Sequence, residues 1–189
     1  MNQEDNRRCG WCKTDPVYLK YHDEEWGKEV TDDLKMFEFL VLESAQAGLS
    51  WLTILKRRDA YRNAFADYHA EKVARMTEQD LERLMQNTGI IRNRKKIEAT
   101  VTNARHFLEI QKEFGSFDVY LWSFTQGKII QNHIQTMKEV PTFSALSDAI
   151  SKDLKKRGFK FLGTTIIYAY LQAVGVVNDH LTSCFCYQK

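Results

Sequence analysis

The chain has 189 residues, 43% of them hydrophobic, which is enough apolar material to bury a full core as one unit or as two small lobes sharing an interface. A net charge of +2 is too small for a general nucleic-acid coat, so any basic face has to be local, at Lys56 to Arg58, Arg92 to Lys96 or Lys152 to Lys160. The chain contains no apolar run long enough to span a membrane, and its beginning, MNQEDNRRCGW, has no signal-peptide core, so a cytoplasmic protein with reduced thiols is predicted.

Only 2 prolines and 9 glycines interrupt a chain whose apolar periodicity is helical rather than alternating, which predicts an all-α fold. The first thirty or so residues are the exception, because Cys9, Trp11, Cys12, Tyr18, Tyr21, His22 and Trp26 crowd together with almost no aliphatic filler. Such a segment needs something else to pin it, and Cys with His suggests a metal. The opposite end carries His180 and Cys184, four apart and so on one face of a helical turn, with Cys186 close behind. Two Cys and two His would close a tetrahedral site, but spacing leaves the choice open. Cys9 and Cys12 have the gap of a zinc knuckle, and the cysteines read equally well as small buried hydrophobes.

From Thr31, Asp32 or Asp33 serves as N-cap of a helix whose buried stripe is Leu34, Phe37, Leu40 and Val41. Glu43 then falls among apolar neighbours, where it either points outward or sits half-buried and requires a partner. Gly48 stops this helix and Ser50 caps a new one through Ile54, Leu55 and Tyr61, leaving Leu49 on an exposed turn. Thr77 with Glu78, Gln79 and Asp80 makes a capping-box-like start for a helix carrying Leu81, Leu84 and Met85, which Gly89 ends. A second helix begins near Asn93 and buries Ile97, Val101, Ala104 and Leu108.

The Gly89-Ile90-Ile91 turn between the two helices should leave backbone N–H groups facing outward among Arg92, Arg94, Lys95 and Lys96, an arrangement suited to phosphate. The same hairpin is also a plain helix connection, and Ile91 stands where the common DNA-binding hairpin has a second glycine. Residues 115–141 show no motif and should link two helical groups. A helix from about Ser144 to Arg157 closes at Gly158, and Thr164 caps a central apolar helix, Ile166 to Val174, that ends at Gly175.

Taken together, CGW at 9–11, YHDEEWG at 21–27, LESAQAGLSW at 42–51, GIIRNRKKI at 89–97, KKRGFKFLGTT at 155–165 and NDHLTSC at 178–184 closely resemble bacterial 3-methyladenine DNA glycosylase I, of the helix-hairpin-helix glycosylase superfamily. The resemblance spans almost the entire chain. It implies a single glycosylase unit of two helical lobes, about 35–140 with the hairpin, and 1–34 plus 141–189 with a zinc site joining the chain ends. It implies one structural Zn2+ on Cys9, His22, His180 and Cys184, leaving Cys12 and Cys186 as non-ligands.

The same resemblance puts the base pocket at Tyr21, Glu43 and Trp51, with Trp11, Tyr18 and Trp26 nearby. It puts the DNA-probing turn at Gln46, Gly48 and Leu49, and the phosphate-binding element at Gly89, Arg92, Arg94, Lys95 and Lys96. The implied activity is monofunctional excision of N3-methyladenine from alkylated double-stranded DNA by a monomer that releases the free base. Superfamily members carry an aspartate after the hairpin, whereas Ile97 to Ile110 has Glu98 and Glu109 but no aspartate, so no general base is assigned. Two rival readings are a non-catalytic zinc-containing DNA-binding module, which has no use for a pocket, and a zinc hydrolase or deaminase, which needs an open metal position.

Overall fold

Helix α2 (Asp33–Gln46) runs through the middle of the molecule, and every residue from Met36 to Ala45 is buried, Glu38, Glu43 and Ser44 included. The expected one-sided stripe beginning at Leu34 is therefore corrected: Leu34 is 38% exposed, and beyond it the helix is covered on all sides. The computed structural model describes residues 7–46 and 48–187. The start of the chain read for a leader, Met1 to Asn6, and Ala47 of the 42–51 block lie outside the described residues.

Ahead of α2 lies α1 (Pro16–Glu24), with Asp15 as N-cap and the proline in its first turn. After it come α3 (Trp51–Leu55), α4 (Arg58–Ala64), α5 (Ala70–Ala74), α6 (Glu78–Gln86), α7 (Arg94–Phe114) and α8 (Phe117–Ser123). Helices α9 (Ala145–Lys156) and α10 (Thr164–Ala173) follow, and α2 packs on α3, α4, α7, α8 and α10. The only strands among the described residues are β1 (Ile130–Gln131) and β2 (Val177–Asn178), a two-residue parallel bridge, so the architecture is essentially all helical. The described buried residues form one continuous cluster, in which Phe37 stacks edge-on against Phe107 at 5.1 Å. Truncating Phe37 to Ala should cost about 3–5 kcal/mol.

Caps explain several boundaries. Asp32 accepts the Leu34 and Lys35 N–H groups at 3.3 and 3.2 Å and starts α2, while Asp33 reaches across to accept from Phe117 and Asp118 at the start of α8, at 2.8 and 2.9 Å. Thr77 and Asp80 form the reciprocal capping box of α6, and Asn93 caps α7.

Other boundaries differ from the sequence expectation. The helix predicted from Ser50 through Tyr61 is two helices, broken where Arg57 turns its guanidinium to the carbonyls of Thr88 and Gly89, at 2.9 and 3.0 Å. Thr164 does not cap α10. It is the first helical residue after Gly163, and its hydroxyl pairs with Ser147 at 2.9 Å. The segment 115–141, expected as linker, contains α8, β1 and a single 3-10 turn, Met137–Glu139. Finally, the chain from His180 to Cys184 is not helical; a turn closed by Cys184 N–H on Leu181 O at 2.7 Å brings those two side chains together.

Candidate functional site

Two adjoining sites are built from the two ends of the chain and α2. In the first, the sulfurs of Cys9 and Cys184 and one nitrogen each of His22 and His180 all lie within 4.8 Å of one another, and all four residues are buried. The sulfur-to-nitrogen separations are 3.6 Å from Cys9 to His180 Nδ1, 3.5 Å from Cys184 to His22 Nε2 and 3.5 Å from Cys184 to His180 Nδ1. Ligands about 2.3 Å (sulfur) and 2.0–2.1 Å (nitrogen) from a tetrahedral zinc ion would stand about 3.6 Å apart, so the donor set fits that ion.

The surroundings support the same chemistry. His22 Nδ1 lies 2.8 Å from Asp23 and His180 Nε2 lies 3.0 Å from the Trp26 carbonyl, the partners that fix the tautomer of a metal-bound imidazole. Asp23 is held in turn by Arg8 through two guanidinium nitrogens. The Leu181 and Cys186 N–H groups point to the sulfurs of Cys9 and Cys184, both at 3.4 Å. Mutual hydrogen bonding of the two thiols, together with the imidazoles, holds Cys184 well below its ordinary value and favours a thiolate there. Gly27 explains the glycine of the 21–27 block, since it has φ +74° and a Cβ there would stand 3.0 Å from the His180 ring. Of the remaining thiols, Cys12 donates to Cys9 O at 3.0 Å, and Cys186 faces the His22 carbonyl at 3.9 Å.

Beside this cluster is a cavity of about 220 Å³, smaller than the about 300–1,000 Å³ of drug-sized sites and suited to one planar ring system. All six residues expected around a base, Trp11, Tyr18, Tyr21, Trp26, Glu43 and Trp51, line it. Trp11 packs edge-on against Tyr18 and Trp26, each at 5.0 Å, and Tyr21 meets Trp51 at 5.5 Å. Glu43 enters from α2, and among the described residues its Oε2 has no hydrogen-bond partner; Trp11 Nε1 and Trp51 Nε1 are likewise unpartnered. Burial pushes the Glu43 carboxyl up to about 8, so with no positive partner beside it the group is mostly protonated at neutral pH. A buried polar group without a partner costs about 1–3 kcal/mol, and three on residues that line one cavity mark a place shaped for something else.

Met137 and Val140 from the 3-10 turn region, and Ala169 and Gln172 from α10, complete the wall. Sequence reasoning missed all four. A three-residue turn and an amide on an apolar helix carry no periodic signal, although Ala169 and Gln172 are three apart and share a helical face. Gln46 also lines the cavity, at its edge, where α2 gives way to Gly48 with φ +82° and to Leu49, 39% exposed.

The hairpin α6–α7 lies beyond this turn, and here the expectation needs correcting. Asn87, not Gly89, ends α6; Gly89 has no left-handed backbone, but a Cβ on it would meet Ala60 Cβ at 2.8 Å, so it lets the turn lie against α4. The turn's N–H groups are not all free. Gly89 donates to Asn87 Oδ1 at 2.9 Å, Ile91 to the Tyr61 hydroxyl at 3.1 Å and Lys96 to its cap Asn93 at 3.2 Å. Of the four cations, Arg94 is bound by Glu78, Glu82 and Glu98, and Lys96 donates its ammonium to the Ala45 carbonyl at 2.8 Å. Arg92 and Lys95 are exposed.

The methyladenine glycosylase family matches residues 11–187. DNA-3-methyladenine glycosylase 1 of Escherichia coli (strain K12) is 51% identical over 180 residues, spanning 95% of this chain and 96% of that protein. A DNA-3-methyladenine glycosylase of Haemophilus influenzae is 47% identical over 179 residues, 95% of this chain and 97% of its own. Among solved structures, a crystal structure of 3-methyladenine DNA glycosylase I superposes with a TM-score of 0.94 at 49% identity, covering 96% of this chain and all of that one. The Staphylococcus aureus 3-methyladenine DNA glycosylase I, solved to show the basis of 3-methyladenine recognition, gives 0.93 at 43% identity over 97% and 98%. With the match running over nearly its whole length, the chain belongs to the methyladenine glycosylase family.

Proposed function

We propose that this protein is a DNA repair N-glycosylase that extrudes N3-methyladenine from alkylated DNA and hydrolyses its glycosidic bond, leaving an abasic site without cutting the strand. The observation that carries the reading is the cavity itself, an aromatic box for one base with a buried carboxyl in its wall whose Oε2 has no partner among the described residues. A non-catalytic DNA-binding module would have no need of such a site.

The residues suit the steps. A paired base hides its glycosidic bond, and extruding it costs a few kcal/mol of unstacking. Leu49, exposed on the turn that follows α2, is placed to fill the gap in the stack, with Gln46 and Gly48 beside it. Methylation at N3 makes the nucleoside base cationic, and the faces of Trp51 and Tyr21 attract a desolvated cation by about 0.5–2 kcal/mol. Glu43 is the remaining determinant. As the cation enters, the carboxyl gives up its proton to the water displaced into bulk solvent and becomes a charged acceptor for the exocyclic amine, and in a dry cavity that contact is worth more than in water. The cationic base is already a good leaving group, so no acid catalyst is assigned, and among the described residues lining the cavity there is no lysine that could form a covalent intermediate.

Cys9, His22, His180 and Cys184 would hold a zinc ion. With four protein ligands its contribution would be structural, a crosslink between the chain ends. Arg92 and Lys95 are the exposed cations of the hairpin and are the ones assigned to phosphate contact on duplex DNA. Release of free 3-methyladenine from DNA treated with a methylating agent, with the strand left intact until alkali is added, is the expected result. No base release, or strand cleavage without alkali, would contradict the reading.

A further inference from the structure

Gln172 stands in the cavity wall with its orientation imposed from outside. Its Nε2 donates to Asp179 Oδ2 at 2.6 Å. Asp179 is 1% exposed and receives two more donors, the Tyr168 hydroxyl at 2.8 Å and Asn132 Nδ2 at 2.7 Å. Three donors converging on one carboxylate leave no acceptor role for the amide facing it, so Gln172 cannot turn its oxygen toward Asp179. The backbone of Gln172 is fixed as well, since its carbonyl accepts the Gly27 N–H at 2.9 Å. The free end of the side chain is therefore the carbonyl oxygen Oε1, which among the described residues receives no hydrogen bond, on a residue that lines the base cavity.

We propose that Gln172, oriented by Asp179 as a positioning residue, is a second base-reading acceptor, and that it and Glu43 together take the two N–H groups of the exocyclic amine. The inference rests on the proposed function of the cavity. Its chemistry is restrictive, because N3-methyladenine joined to its sugar has a single N–H-bearing group, the amine on C6. An acceptor in the wall can serve only that group, and two acceptors match its two hydrogens. A base carrying a carbonyl at the same position, such as 3-methylguanine, would instead set an oxygen against two acceptors. Discrimination of this kind needs no bulk and no charge. It needs an amide that cannot flip.

The test compares free 3-methyladenine with 3-methylpurine, in which hydrogen replaces the amine, by calorimetric titration of the wild type and of Gln172→Met. The wild type should prefer 3-methyladenine, and Gln172→Met should lower that preference roughly threefold to tenfold by weakening 3-methyladenine while leaving 3-methylpurine unchanged. Gln172→Leu, shorter and also without an acceptor, carries the same expectation and guards against a folding defect peculiar to the methionine. An unchanged preference, or equal weakening of both bases, overturns the inference while leaving the cavity's function intact. A wild type that binds neither base overturns the function and the inference with it.

Discussion

The metal-type cluster and the base cavity share a wall, both drawing on the segment from Cys9 to Trp26, yet they are finished to opposite standards. Around the cluster, each imidazole has a second partner, each sulfur of Cys9 and Cys184 receives a backbone N–H, and Asp23 is braced by Arg8. In the cavity, Glu43, Trp11 and Trp51 leave polar atoms without partners, and burial of Glu43 is uncompensated. Saturation marks a structural element, whose work is complete when the protein folds. An unfilled set of polar atoms marks a recognition site, whose partner arrives later.

The strongest way to break this comparison is at the cluster. If it holds zinc, binding is coupled to folding, and structural zinc in small peptides is worth about 10–16 kcal/mol. Cys184→Ala should therefore destabilise the protein by several kcal/mol, whereas Cys186→Ala, whose partly buried thiol faces the carbonyls of His22 and Asp23 at 3.9 and 4.0 Å and is outside the four-donor set, should cost at most about 1 kcal/mol. Thermal melting of both variants, with zinc measured by elemental analysis, provides the check. Equal losses, or purified wild type without stoichiometric metal, would remove the cluster from the structural side of the comparison.

A second test works in the opposite direction, because a recognition residue should be expendable for stability. The Glu43 carboxyl is raised from its ordinary 4.5 to about 8, so below pH 4.5 it is protonated in both folded and unfolded chains and burial has no ionisation cost. As pH rises toward 8 the unfolded chain gives up the proton and the folded chain keeps it, so stability falls through that window and levels off above it. Glu43→Gln abolishes this loss. The variant should match the wild type near pH 4 and exceed it by about 3 kcal/mol at pH 7, while its excision of 3-methyladenine in single-turnover assays drops by about tenfold to a hundredfold. Trp51→Ala should lose base affinity to a similar extent, by losing stacking rather than charge. For both variants, affinity for an abasic-site duplex, which has no base to place in the cavity, should stay within about twofold of the wild type. If Glu43→Gln gains no stability with rising pH, the carboxyl is not buried uncompensated, and the contrast between the two sites fails.

What could be read from the sequence divides along similar lines. Local chemistry was legible: Ser50 and Thr77 cap the helices they were expected to start, and Asn93 and Ser144 cap helices expected to begin near them, because a short polar side chain accepts from a backbone N–H only three residues on. The burial of Glu43 could be suspected from Phe39 to Leu42 ahead of it, but not the absence of a partner, which depends on chain distant in sequence. The far wall of the cavity, Met137, Val140, Ala169 and Gln172, was invisible for the same reason. The cations illustrate the limit most clearly. Arg94 and Lys95 are neighbours in one basic run; i,i+4 spacing can pair Arg94 with Glu98, but no spacing rule finds its other two partners, Glu78 and Glu82, which come from a different helix.

That difference sharpens the comparison at the hairpin, the element proposed to meet phosphate, and gives its smallest effect. Arg94 is engaged with three glutamates, so its charge is largely cancelled before any phosphate approaches. Lys95 is exposed at the start of α7, where the first turn's N–H groups and the helix dipole also favour an anion. Phosphate contacts act through counterion release and do not read sequence. Lys95→Ala should therefore weaken binding to every duplex alike and reduce the slope of log K against log salt by about one. Arg94→Ala removes one cation and frees three carboxylates, so it should weaken binding by repulsion while the count of released counterions, and with it the slope, stays nearly constant. Anisotropy titrations of two unrelated duplex sequences across a salt series distinguish these outcomes. A slope that falls by the same amount in both variants would mean that Arg94 leaves its glutamates to meet the backbone. A loss confined to one duplex would mean that the hairpin reads bases.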